Sequence, residues 1–143
     1  MLFFRTFKSH AFLILLAIST RYCHAATVWN GPTVTFTKAA FADWTQPANQ
    51  DRITDNVWIT RTNSHGIFNI KAEPFFTHAM SPVDTAWASG ELDDYATLTY
   101  ADWDTWAAHF PPGTIGHDAV VHLISDDIYL SIKFMTWTEA AKS

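Results

Sequence analysis

Ala119-Val-Val-His-Leu-Ile124, then Ser125-Asp126-Asp127, then Ile128-Tyr-Leu-Ser-Ile-Lys-Phe134: this stretch decides the fold. Its second half alternates, with Ile128, Leu130, Ile132 and Phe134 on one face and Tyr129, Ser131 and Lys133 on the other. A period of two is the signature of a strand with one buried side. The apolar run before it ends in a Ser-Asp-Asp turn, and Asp favours turns because its side chain bonds its own backbone. The pair therefore reads as an antiparallel hairpin with one wet face.

The same reading extends toward the N-terminus. Val57-Trp-Ile-Thr-Arg61 and Ile67-Phe-Asn-Ile70, joined by Asn63-Ser-His-Gly66, form a second expected hairpin. Thr33-Val-Thr-Phe-Thr37, after an Asn30-Gly-Pro32 turn signal, predicts a strand with Val34 and Phe36 toward the core, and Ala96-Thr-Leu-Thr-Tyr100 predicts another. Residues 39–55 are polar and read as a long surface loop. Ser81-Pro-Val-Asp84 carries an N-cap, a proline at the first helical position and an acid at the third, and Gly90 supplies a stop. These signals predict a short helix over 82–89 with Trp87 on its buried side. Trp103, Trp106 and Phe110 share a helical spacing that Pro111-Pro-Gly113 must end. The sum is an all-β domain, an antiparallel β-sandwich or jelly roll with one or two short helices.

The first 25 residues read as a secretory signal peptide. Arg5 and Lys8 precede an eight-residue apolar run, Ala11–Ile18, and Cys23-His-Ala25 puts small residues at the cleavage site. That run is shorter than the roughly 20 residues a membrane span requires, and no later stretch approaches one. The expected organisation is a leader over 1–25 and one domain over 26–143, exported to the periplasm or beyond. Arg5, Lys8 and Arg21 leave with the leader, so nine basic residues become six against fourteen acidic ones, and the net charge moves from −5 to −8. Nucleic acid and anionic membranes need a basic footprint and are excluded as partners. The single cysteine, Cys23, leaves as well, so the mature domain must hold without disulfides. All seven tryptophans remain to fill its core.

Three segments, Trp29–Lys38 (WNGPTVTFTK), Asn49–Arg61 (NQDRITDNVWITR) and His122–Phe134 (HLISDDIYLSIKF), resemble a family of secreted bacterial single-domain proteins. The resemblance implies export and a single domain. It brings no catalytic residue with it.

Candidate chemistry is sparse. Asp93-Asp94, Asp102 with Asp104, and Asp126-Asp127 offer oxygen ligands suited to Ca²⁺, with Asp126 and Asp127 the candidate ligands. None follows the fixed ligand spacing of a calcium loop. The same carboxylates are the material for a glycosidase pair, whose two acids must face each other across a cleft. Five histidines follow the leader: His65, His78, His109, His117 and His122. No two have the spacing that sets both on one helix face as metal ligands, and no nucleophile elbow is present. Aromatic rings are the most suggestive feature, because Trp faces stack on sugars and anchor interfaces. Val57 and Ile59 claim the core face of their strand and turn Trp58 outward; Trp44, in the polar loop, is the second candidate. The leading expectation is a non-enzymatic binding module for a glycan or an extracellular protein. The alternatives are a small secreted hydrolase using a carboxylate pair and a structural matrix subunit.

Overall fold

The computed structural model describes residues 25–138. The expected leader, apart from Ala25, lies outside them. Seven strands form two sheets: β1 (Thr27–Val28), β2 (Asp51–Arg52), β3 (Trp58–Arg61), β4 (Ile67–Asn69), β5 (Thr85–Ser89), β6 (Asp118–Leu123) and β7 (Ile128–Lys133). One sheet has the order β1-β7-β6-β5 and the other β2-β3-β4. Among the described residues a single helical turn, α1 (Trp103–Trp106), lies between β5 and β6, and three 3₁₀ turns complete the regular structure. The fold is all-β and sandwich-like. No helix among the described residues is long and apolar enough to cross a membrane.

The 119–134 hairpin forms as its alternation requires. β6 and β7 pair antiparallel from Asp118↔Lys133 to Leu123↔Ile128. Leu130 is buried in the core, with Ile128, Ile132 and Phe134 packed against it. Val57 and Ile67 reach the same core from the smaller sheet, and Trp103 and Ala107 reach it from α1. The hairpin over 57–70 also forms, as β3 and β4 in antiparallel register. On the sheet face turned away from that core, Phe68 is fully buried and Trp44 packs edge-on against it at 5.6 Å.

Three expected elements do not form. Residues 82–89 are not a helix. Thr85–Ser89 pairs along its whole length with Leu123–Ala119 as a strand, and Trp87 is buried in the core from that strand. The capping signals are diverted: Ser81 Oγ accepts from the Thr77 amide and donates to Glu73, and the Val83 amide also bonds Glu73. Asp84 has φ 69°, which no helix start uses. Gly90, the supposed stop, instead follows β5 at φ 145°, with Leu98 packed where a side chain would project. Local helix signals weigh tenths of a kilocalorie to about 1 kcal/mol, and a full ladder that buries a tryptophan outweighs them.

Thr33–Thr37 joins no sheet, and Val34 is 75% exposed. Thr27–Val28 takes the open edge of β7 instead, in a short parallel pairing. A two-residue apolar set, Val34 and Phe36, is too small to displace it. Ala96–Tyr100 is a turn, because Thr97 bonds back to the Asp94 carbonyl through both its amide and its hydroxyl. Only Ala101 bridges to Trp87. Phe110 shares the helical spacing of Trp103 but stays exposed, since the chain turns at Ala108 and His109 in left-handed backbone.

β2 lies within the stretch read as loop, and it sets Asp51 opposite Ile59. Desolvation by burial pushes the Asp51 carboxyl above its usual value of 3.8. The folded state therefore holds this proton to higher pH than the unfolded chain, and Asp51 destabilises the fold progressively as pH rises above about 3.8. Asp51→Asn should melt at a higher temperature than wild type near neutrality, and the two curves should converge as pH falls toward 3.8. Thermal melts at stepped pH read this directly; an equal gap at every pH would refute it.

Candidate functional site

The most organised polar region begins at Asn69, which is fully buried at the end of β4. Its side chain makes four bonds. Oδ1 accepts from the amides of Trp58 at 2.9 Å and Lys71 at 3.2 Å. Nδ2 donates to the carbonyls of Asn56 at 2.9 Å and Val83 at 3.1 Å. This exhausts what an amide side chain can offer. Beyond Asn69 the chain turns tightly, with the amides of Ala72 and Glu73 both bonding the Asn69 carbonyl. That turn brings the buried Glu73 carboxylate back to the Asn69 amide at 2.8 Å, where Oε1 also accepts from Val83 at 2.9 Å. Oε2 accepts from the Ser81 hydroxyl at 2.6 Å.

This network fixes the walls of an open cleft of about 560 Å³. Asn56, Lys71, Ala72, Val83, Asp84 and Ser125 line it together with Ile124. Three of these, Asn56, Lys71 and Val83, are among the four backbone partners of the Asn69 side chain. The opposite wall is fastened by Asp84, whose Oδ1 accepts from both the amide and the hydroxyl of Ser125 at 2.9 and 2.8 Å. Its carbonyl accepts from the Ile124 amide. The cleft thus gathers four turns, from the ends of both sheets, onto one frame. It offers an ammonium, a carboxylate, an amide and a hydroxyl beside the apolar surface of Ala72, Val83 and Ile124.

Trp58 adjoins the cleft through Lys71. It is half-buried and turned away from the core, with Nε1 donating to the Thr54 carbonyl at 2.9 Å. The Arg52 guanidinium lies 4.0 Å from its ring centroid and the Lys71 ammonium 4.8 Å. Arg52 reaches it from the neighbouring strand β2, and Lys71 from the segment after β4. Such cation–π contacts contribute about 0.5–1 kcal/mol each at exposed sites. Trp58 is therefore a holder of two cations rather than a bare stacking platform.

The other residues singled out from sequence are dispersed. Trp44 is half-buried on Phe68. Asp126 turns both oxygens inward to the chain, accepting from Thr54 Oγ1 at 2.6 Å and Asn56 Nδ2 at 2.7 Å. It pins the β6–β7 turn to the loop that carries Asn56. Asp127 lies instead against His122 Nε2 at 3.1 Å, and His122 stacks flat on Tyr129. Burial, then the Asp127 charge, pushes the Tyr129 hydroxyl above its usual range. The two adjacent aspartates thus serve different partners, and no shared oxygen cage forms from their side chains.

No protein-family model, curated protein or solved structure matches the chain. What the cleft can bind follows from its own chemistry.

Proposed function

We propose that this chain is an exported, non-enzymatic binding module whose cleft takes a glycan with an anionic substituent. The observation that carries this reading is the cleft beside Trp58, walled by Asn56, Lys71, Asp84 and Ser125. Saccharides present dense hydroxyls on an apolar carbon skeleton, and specificity for them needs a few fixed polar groups among apolar surface. Lys71 and Arg52, both gathered on Trp58, add a local positive patch to a domain that is acidic overall. Asp84 is the one acid among the lining residues, and its oxygen is already tied to Ser125. Glycoside hydrolysis by a carboxylate pair requires a second. The leader pattern over residues 1–25 supports export.

A glycan array followed by calorimetry on the best ligand tests this. Lys71→Ala and Trp58→Ala should each weaken binding at least about tenfold, roughly 1.4 kcal/mol. Trp44→Ala should lower stability through Phe68 and leave affinity unchanged. Absence of binding above background, or Lys71→Ala and Trp58→Ala variants that bind like wild type, would defeat the reading.

A further inference from the structure

A second constellation shares no residue with the cleft. His78 Nδ1 and His109 Nδ1 each lie 2.9 Å from the same oxygen, Asp104 Oδ2. The His109 contact is aligned as a hydrogen bond. The two rings stack at 5.5 Å with 26° between their planes. All three candidate ligand atoms fall within 4.8 Å of one another. The Asp104 side chain is 7% exposed, and those of the histidines are 71% and 63% exposed. A carboxylate is thus sunk at the floor, with two imidazoles standing over it at the surface.

The chain holds this arrangement from three sides. Asp102 caps α1, accepting from the Thr105 amide and hydroxyl. Those bonds hold the Asp102 carboxyl below the usual range and fix the turn that carries Asp104. The His109 amide bonds the Asp104 carbonyl at 2.9 Å, which sets His109 back over α1. On the other side, the amides of Met80 and Ser81 close a turn on the Thr77 carbonyl, and the buried Ser81 hydroxyl anchors that turn to Glu73. Ala79, Ala108 and His109 have φ of 59°, 51° and 58°, three of the six non-glycine residues with positive φ among those described. Such backbone is uncommon outside glycine and persists where its surroundings fix it.

We propose that His78, Asp104 and His109 bind a transition-metal dication of the Zn²⁺ class. Two imidazoles and one carboxylate are the donor set of borderline metals, whereas Ca²⁺ takes oxygen ligands. Zinc bonds to nitrogen and carboxylate oxygen run about 2.0–2.2 Å, so tetrahedral ligand atoms stand about 3.3–3.6 Å apart. Opening the two 2.9 Å contacts by about 0.4–0.7 Å accommodates the ion, and the rings that must move are the exposed ones. The solvent side leaves a position for water or for a donor from a bound molecule.

Titration of the full chain with Co²⁺, followed by its visible ligand-field absorption, tests the site, with Zn²⁺ as competitor. One Co²⁺ per chain should bind, Zn²⁺ should displace it and Ca²⁺ should not. Loss of an outer-shell partner alone weakens metal sites about 10–100-fold, so loss of a ligand should weaken binding at least about 100-fold. His78→Ala and His109→Asn are the variants of choice, because Asn tolerates the left-handed backbone at position 109. Circular dichroism and melting temperature establish that each variant folds. Co²⁺ binding that persists in the double variant would place the ion elsewhere, for example on His10, Cys23 or His24 of the leader, and overturn the proposal. So would no binding with metal in large excess.

Discussion

Glu73→Ala should destabilise the domain by about 3–5 kcal/mol, whereas Glu73→Gln should cost about 1 kcal/mol. The contrast follows from how the carboxylate divides its work. Oε1 receives two backbone amides, from Asn69 and Val83, and Oε2 receives only the Ser81 hydroxyl. Alanine strands all three donors inside the protein, and a buried unsatisfied donor costs about 1–3 kcal/mol. Glutamine keeps an oxygen for both amides. Its NH₂ then faces Ser81 Oγ, which can accept it, since the hydroxyl already accepts from Thr77 and its proton can rotate away. Urea unfolding with an unchanged m-value measures both variants. Equal losses in the two would mean that charge, rather than the three bonds, holds this turn. A loss under 1 kcal/mol for alanine would mean that the turn does not depend on Glu73.

Glu73 also marks the limit of what can be read from the chain. The two hairpins were legible because each places alternating residues within a few positions of its partner. α1 was legible from the Trp103–Trp106 spacing, while its Asp102 cap was not read. The stretch 82–89 was not, because Ser81, Pro82 and Asp84 carry local helix signals while the deciding partners, Glu73 and the β6 strand, are distant in sequence. Thr33–Thr37 alternates like a strand and still finds no sheet edge. The two candidate sites are non-local in the same way. Asn56, Lys71, Asp84 and Ser125 come from four turns, and each alone is an ordinary turn residue. Their signal lies in Asn69, a polar residue in an apolar run, whose burial demanded partners. His78 and His109 carry no shared period. Only the return of the chain after β4 and the tight end of α1 bring them to Asp104.

Asn69→Asp should be at least as damaging as Glu73→Ala near neutral pH, about 3–5 kcal/mol, although it replaces one atom. The substitution preserves shape and the two amides received by Oδ1. It turns Nδ2, which donates to the Asn56 and Val83 carbonyls, into an oxygen facing two oxygens. A charged carboxylate there would be fully buried with no cation on it, so the proton is retained and the pKa rises. The protonated acid restores one of the two donors, and the deficit should therefore shrink as pH falls, the reverse of ordinary acid denaturation. Asn69→Ala should lose about as much stability at every pH, because it has no proton to take up. Combined with Glu73→Ala, its loss should fall short of the sum, since both side chains secure Val83. Stability curves from pH 4 to 8 separate these cases. The functional consequence is as specific. Asn69 does not line the cleft, yet it fastens three residues that do, so a destabilised but folded Asn69 variant should bind glycan more weakly than its folded fraction accounts for. Affinity that simply tracks the folded fraction would mean that the walls stand without their central amide.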